Sequence, residues 1–454
     1  MEAPTTDRGQ WSSKLGFVLA AAGSAIGLGN IWRFPYVTGQ SGGAAFVIVY
    51  LLCILLICLP YLFAELTIGR YSKKNPVGAI KAIKAGTPWT LVGGLCVLTG
   101  IAILSYYAVI AGWAFGYIFK GVFSPSTEFG AFISTPVIVI PLFALFMFLT
   151  ILVVYGGVEH GIERWSKVLM PVLLVLMLVI ILRSVTLPGA GAGLEFYLKP
   201  DFSKVTGEVM LAALGQAFFS LSLGMGAMIT YGSYLPKKEN ILTAGGYVAV
   251  FDTLVAVLAG FMIFPAVFAF GQDPASGPAL IFVVLPEVFN AMPLGTLMSV
   301  IFFLLLSIAA LTSTVSLLEV VVAYFVDEKK WPRKRSVWIV GLITFVIGIP
   351  AALSAGAVDR LSDMTWLVGE DGFLGQTDFL SIMDAIWGNI SLAFGALLIS
   401  IFVGWVWGAK QAAAELREGS NFSPTGQKIW GIFLKYVCPV FIFFVLLNVL
   451  SIIG

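Results

Sequence analysis

The amino-acid sequence predicts an all-α polytopic membrane protein, and three observations carry that expectation. Of its 454 residues, 59% are hydrophobic and only 11% are charged, whereas soluble domains carry about 25% charged residues. Its apolar runs are long enough to cross a bilayer core about 30 Å thick, which takes about 20 residues per helix. Its basic residues alternate between the two sides of those runs, as orientation in a membrane requires. The net charge of +2 gives no basic surface for nucleic acid, so no nucleic-acid partner is expected. The partner that the composition does imply is the lipid bilayer.

Eleven spans are expected in order, near 14–36, 44–70, 90–119, 132–155, 164–184, 208–234, 241–270, 293–325, 336–355, 379–408 and 430–453. Charged or Pro/Gly-rich punctuation separates them. A shorter apolar stretch near 276–290 contains Pro278 and Pro286 and reads as a surface-lying hairpin. With residue 1 on the cytoplasmic side, alternate loops collect 20 of the 26 basic residues. Among them are Arg70, Lys73 and Lys74, Lys237 and Lys238, and the run Lys329, Lys330, Arg333, Lys334 and Arg335. A miscounted span would scramble this alternation downstream, so the N-terminus is expected inside and the C-terminus outside. Cys53, Cys58, Cys96 and Cys438 all fall in apolar runs and read as buried free thiols.

Two spans contain their own interruption. The first reads Gly23-Ser24-Ala25-Ile26-Gly27-Leu28-Gly29-Asn30, and the sixth Phe219-Ser220-Leu221-Ser222-Leu223-Gly224-Met225-Gly226. Hydrocarbon cannot satisfy a freed backbone group, so irregular chain at that depth must line protein or a cavity. Lying five spans apart, the two breaks would have opposite topology in a repeat of five helices, which is the best sequence pointer to a transport site. Half-helix N-termini suit a carboxylate and bare carbonyl oxygens suit Na+; close packing through small residues is the competing reading. Thr312-Ser313-Thr314 in span eight offers further oxygens, although such hydroxyls often bond only to their own helix.

Charges within spans are functional suspects. Arg33 in span one and Asp384 near the start of span ten lie at comparable depth and read as a gating pair. Glu65 and Glu319 are expected to brace backbone freed at the breaks, and Asp252 to neutralise a bound cation. Other functions find less support. No GxxxxGK[ST] nucleotide loop occurs. Gly39-Gln40-Ser41-Gly42-Gly43 has a serine, but the only histidine, His160, belongs to a loop on the cytoplasmic side. GAGAG at 189–193 lacks a strand-turn-helix context. A channel would build its filter by oligomeric symmetry, and a paired internal break does not fit that plan.

The stretch GSAIGLGNIWRFP (23–35), with FFSLSLGMGAMITYGSY (218–234), ALTST (310–314) and GIERWSKVLMP (161–171), resembles the neurotransmitter:sodium symporter family, which has the LeuT fold. The resemblance covers nearly the whole chain. It implies a 5+5 inverted repeat, 14–184 and 208–408, plus an eleventh helix at 430–453, in one transmembrane domain. The function implied is secondary active import of hydrophobic L-amino acids, large aromatic ones included, driven by Na+ and not catalytic. Another small zwitterion or amine is the alternative cargo. The expected location is the bacterial inner membrane.

The resemblance also assigns residues. A first Na+ site would use Ala25, Asn30, Ser220 and Asp252, the last standing where relatives often carry Asn. With that fixed carboxylate no chloride requirement is expected. A second Na+ site would use Gly23, Ile26, Ala309, Thr312 and Ser313. The substrate would meet Ala25, Gly27, Gly29, Ile103, Tyr107, Phe219, Ser220, Ser222, Met225, Ser313 and Leu317, with the Tyr107 hydroxyl holding its carboxylate. An outer gate would pair Arg33 with Asp384 through water beneath a lid of Phe219 and Tyr107. An inner gate would pair Arg8 with Asp327 beside Trp11, Ser233 and Tyr234. Gly161 and Pro171 match a Gly-x9-Pro pattern whose local unwinding would open a water path to the second Na+.

Overall fold

Backbone polar groups have no partner in hydrocarbon, so a spanning chain must be helical. A computed structural model describes residues 9–123, 128–277 and 279–452. Among these residues nine helices are long and apolar enough to cross: Ala44–Ser72, Thr90–Phe123, Pro136–Tyr155, Val158–Val185, Ile241–Ala269, Gly295–Glu328, Arg333–Leu353, Phe379–Arg417 and Pro424–Val449. Two broken segments complete eleven spans. Lys14–Ala25 and Gly29–Gln40 form the first, bent by 53°. Gly207–Ser220 and Ala227–Ser233 form the sixth. Its connection is irregular: Ser222, Gly224 and Gly226 have φ of +54°, +88° and +77°, values that glycine adopts without cost and serine does not.

Contacts sort the spans into groups. The first half of span one packs on spans seven, eight and five, while the two halves of span six lie against the two halves of span two. Spans three and eight run side by side, with spans four and nine packed on them, and span ten lies against span eleven. The two breaks therefore face one another between these groups.

The stretch near 276–290 departs from the expected surface hairpin. Its helix, Leu280–Ala291, is buried along one face: Leu280 and Ile281 are fully enclosed and Phe282 is nearly so, while Val283, Glu287 and Asn290 are exposed. Phe282 stacks on Phe129, meets Trp32, Trp113 and Tyr117 edge-on, and its carbonyl accepts from the Tyr117 hydroxyl at 3.1 Å. Its apolar run is short because it plugs one end of the bundle rather than crossing it.

At the opposite end Arg70 is fully buried. It donates to Glu415 Oε1 at 2.9 Å, to the carbonyls of Glu239 (2.6 Å) and Glu418 (3.0 Å), and to the Glu415 carbonyl. Lys237 bonds the second Glu415 oxygen at 3.0 Å, and that bond holds its ammonium above the usual lysine range. A buried ion is tolerable only when paired and hydrogen-bonded in this way. The cluster ties the end of span two to the loop after span six and the helix after span ten.

Candidate functional site

The helix of span one stops at Ala25 because the next residues give up regular pairing: Ile26 has extended backbone, with ψ of 110°. Several of the freed groups find partners outside the regular helix. The Gly27 amide donates to Asn30 Oδ1 at 3.1 Å, and the Leu28 amide donates to the Tyr107 hydroxyl at 2.9 Å. The Gly29 carbonyl accepts from Gln216 Nε2 at 2.8 Å. The Ser24 carbonyl lies 3.0 Å from Ser222 Oγ and 3.3 Å from Ser313 Oγ. In span six the Gly224 amide donates to Glu65 Oε1 at 2.8 Å, the bracing role expected of Glu65. Glu319 does not brace a break. It accepts from the Tyr234 hydroxyl at 2.6 Å and pairs with Arg333 at 2.5 Å, because its place on span eight lies beyond the reach of either break.

Around the breaks the side chains form two oxygen clusters. In the first, Asn30 Nδ2 donates to Asp252 Oδ1 at 2.7 Å and lies 3.0 Å from Ser220 Oγ, which donates to Asp252 Oδ2 at 2.8 Å. Tyr50 donates to the same serine at 3.2 Å. Ala25, Asn30, Ser220 and Asp252 are all buried. In the second, Thr312 Oγ1 lies 2.9 Å from the Ala309 carbonyl and 3.5 Å from that of Ile26. Ser313 Oγ lies 3.4 Å from both. Gly23 adjoins this cluster, since a Cβ on it would lie 3.2 Å from both Thr312 Cβ and Met170 Sδ. Each hydroxyl has one proton for several acceptors, so oxygens outnumber donors, the composition that hard cations take.

Ile103 and Tyr107 stand one turn apart on span three, as Ser313 and Leu317 do on span eight, so each pair shares a helix face. Ile103, Leu317, Met225 and Ser222 are buried, while Phe219 is partly exposed. Phe219 packs on Gly29, where a Cβ would meet its ring at 2.9 Å. Beyond Phe219 lies a cavity walled by spans six, ten and eleven, with Arg33 and Asn389 on its lining. The Arg33 guanidinium stacks 4.6 Å above the Phe219 ring.

Arg33 and Asp384 form no ion pair among the described residues. Asn389, absent from the sequence-based assignment, stands between them: it accepts from Arg33 at 3.2 Å and donates to Asp384 Oδ2 at 3.2 Å. At the other end Trp11 is buried. It donates to the Tyr231 carbonyl at 3.0 Å and meets Phe17, Tyr231 and Tyr234 edge-on. Ser233 Oγ donates to the Thr230 carbonyl at 2.6 Å, and Asp327 accepts from Asn75 at 2.8 and 3.0 Å. Arg8 lies outside the described residues. In span five, Gly161 belongs to a wide π-turn, Val158–Glu163, and Pro171 lies inside the helix Arg164–Val185. The segment between them is wound in this conformation. A small cavity lined by Ile162, Ser166, Leu169 and Thr312 adjoins the second cluster there.

Two broken helices facing each other in a bundle of eleven spans, with bare oxygens between them, define a membrane transporter. Comparison with known proteins agrees. The profile of the Sodium:neurotransmitter symporter family matches residues 8–129 and 133–453. The sodium-dependent transporter YhdH of Bacillus subtilis (strain 168), itself uncharacterised, is 43% identical over 98% of both chains. The sodium-dependent serotonin transporter of Drosophila melanogaster is 27% identical over 96% of this chain and 75% of its own. The crystal structure of MhsT in complex with L-phenylalanine superposes with a TM-score of 0.86 at 44% identity, over 97% of this chain and all of that one. The chain belongs to the Sodium:neurotransmitter symporter family. It has the LeuT fold and is a transporter, not an enzyme.

Gly27 offers a test of the crowded break, since a Cβ there would overlap Ser313 Oγ and lie 2.7 Å from the Tyr107 hydroxyl. Gly27→Ala is expected to fold, with a thermal midpoint lowered by a few degrees, and to lose at least tenfold in ligand affinity by equilibrium binding. Affinity at the parent value would show that the space between spans one, three and eight is not the site.

Proposed function

We infer that the chain is a Na+-coupled importer of hydrophobic L-amino acids that works by alternating access. The observation that carries this reading is the pair of oxygen clusters built around the two breaks. Oxygens about 2.4 Å from a hard cation of this size, in octahedral array, stand about 3.4 Å from one another. The 2.9–3.5 Å spacings among Ile26 O, Ala309 O, Thr312 Oγ1 and Ser313 Oγ match that arrangement. Gly23 completes this site. Ala25, Asn30, Ser220 and Asp252 form the other, where the Asp252 carboxylate supplies the negative charge and chloride is not needed. The substrate lies between them, its carboxylate at the Tyr107 hydroxyl and the Leu28 amide, its amine toward the Ser24 carbonyl and Ser222. Ala25, Gly27, Gly29 and Ser220 form the main-chain cradle, and Ile103, Phe219, Met225 and Leu317 take the side chain. MhsT, crystallised with L-phenylalanine, supports an aromatic cargo.

The repeat pairs residues 14–184 with 208–408, and residues 430–453 stand outside it. The membrane is the bacterial inner one, with the Trp11 end cytoplasmic and the Phe282 end outside. Trp11, Ser233, Tyr234 and Asp327, with Arg8, close the inner side; Arg33, Asp384, Phe219 and Tyr107 close the outer. Unwinding between Gly161 and Pro171 would join the small cavity at Thr312 to the cytoplasm. Each Na+ carried inward through 100 mV contributes about 2.3 kcal/mol. Two would supply about 4.6 kcal/mol, enough for more than a thousandfold accumulation.

In proteoliposomes, uptake of Phe, Trp and Leu is expected to saturate and to vanish when Na+ is replaced by choline, with Gly and serotonin poor competitors. Unsaturable or Na+-independent flux would refute the reading. Asp252→Asn is expected to make uptake depend on external chloride. An inactive variant that chloride does not rescue would remove the charge-compensation role. Met225→Phe fills the side-chain pocket, so the affinity for Trp relative to Leu should fall about tenfold. An unchanged ratio would take Met225 out of the pocket.

A further inference from the structure

Span ten carries a local irregularity that decides which side chain faces Asp384. In a regular α-helix, residue 388 would stand one turn above residue 384. That residue is Gly388, where a Cβ would overlap Asp384 Oδ1 and lie 2.5 Å from the Tyr106 hydroxyl. The segment Asp384–Ser391 is instead π-helical. Its i→i+5 pairing carries Asn389 over Asp384, whose carbonyl and Oδ2 accept from Asn389 Nδ2 at 3.1 and 3.2 Å. Wide turns of this kind recur at functional sites. Arg33 closes a second one, Gly29–Arg33, and donates from Nη2 to Asn389 Oδ1 at 3.2 Å. Two π-turns on different spans thus bring Arg33 and Asn389 together at the wall of the cavity beyond Phe219.

We propose that Asn389 is the positioning residue of the outer gate: its carboxamide joins the guanidinium of broken span one to the carboxylate of span ten, and parting of the Arg33–Asn389 bond times release of substrate to that side. This rests on the reading of Arg33 and Asp384 as the outer gate. A carboxamide presents an acceptor to the cation and a donor to the anion at once. A direct Arg–carboxylate fork would put two parallel charge-assisted bonds in a fixed geometry where this contact has one, and would be correspondingly slow to reopen. Asp384 does not travel with span one. The Tyr106 hydroxyl of span three holds its Oδ1 at 2.9 Å, and Ser391 lies 2.5 Å from Thr99 of the same helix. When span one separates from this frame, the contact between Arg33 and the amide is the one that parts.

The test uses the full chain in nanodiscs and proteoliposomes, loaded with tritiated L-phenylalanine in Na+ and chased with unlabelled phenylalanine. Asn389→Ala is expected to release the label about tenfold faster, the share of one charge-assisted hydrogen bond. KM should rise to match. Asn389→Asp gives Arg33 a carboxylate partner and is expected to slow release and lower turnover. Opposite signs in the two variants are what a merely structural asparagine would not produce. Should Asn389→Ala fail to fold, Asn389→Leu keeps the volume while removing donor and acceptor. Release within twofold of the parent in the Ala or Leu variant, or a shift of the same sign in Asn389→Asp, overturns the proposal. Asp384→Asn separates the two levels. If it speeds release while Asn389→Ala does not, the relay alone is wrong; if neither changes release, the gate reading falls with it.

Discussion

A backbone amide or carbonyl left bare in hydrocarbon costs several kcal/mol, and two spans of this protein bare several at once. The side chains that converge on the breaks offset that cost. Tyr107 from span three serves the Leu28 amide, Glu65 from span two the Gly224 amide, and Gln216 the Gly29 carbonyl. Ser222 and Ser313 reach the Ser24 carbonyl from spans six and eight. The polar centre of the bundle is thereby forced: breaking two helices in lipid recruits partners from spans two, three, six and eight. Groups that satisfy the backbone also become the groups a cargo must displace or join.

The same logic governs charge. Asp252 is fully enclosed, and such an ion is tolerable only with its lone pairs engaged. Asn30 and Ser220 engage them from the two broken helices, so the carboxylate on span seven staples span one to span six. In the proposed cycle a cation added there draws on an oxygen set already held in place, while the Tyr107 hydroxyl and the Leu28 amide beside it await a carboxylate. Ion and substrate then share neighbours, which is the physical basis for coupling their binding.

Much of this is legible in the residues. Glycine clusters mark both breaks, although close packing of small residues is an equal reading of either cluster alone; it is their recurrence five spans apart that points to a break. The alternation of lysine and arginine marks the count of spans. Asn30, Asp252, Thr312 and Ser313 stand out as polar groups in apolar surroundings, and the structure brings each to a break. Other features leave no such trace. The plug helix at 280–291 reads as a surface hairpin because its length is short, and burial at the end of a bundle depends on neighbours distant in sequence. Glu319 reads as a brace for a break, yet it pairs with Arg333, only 14 residues away but on the next helix. Asn389 cannot be foreseen from spacing, since α-helical periodicity puts Gly388 in its place. Gln216 and Tyr50 look like any polar residue in a membrane helix until the carbonyl or hydroxyl they serve is located.

Wide turns are distributed unevenly, and the distribution bears on how the bundle moves. Among the described residues π-turns occur in spans one, two, five, ten and eleven, at Gly29–Arg33, Ile54–Cys58, Val158–Glu163, Asp384–Ser391, Phe402–Gly408 and Phe433–Val437, and in the plug helix at Leu280–Val284. Spans three, four, seven, eight and nine are α-helical throughout. Wide turns of this kind keep their backbone groups paired i→i+5 and recur at functional sites. Of the regular spans, three, four, eight and nine also pack on one another, while span seven packs on span one; the first four make the natural frame. Against it, spans one and six carry the breaks, and spans five and ten carry wide turns at opposite ends, one beside the Thr312 cavity and one beside Arg33. Three of the wide turns thus lie beside the two proposed gates, Val158–Glu163 at the inner one and Gly29–Arg33 and Asp384–Ser391 at the outer, while the spans that frame them carry none.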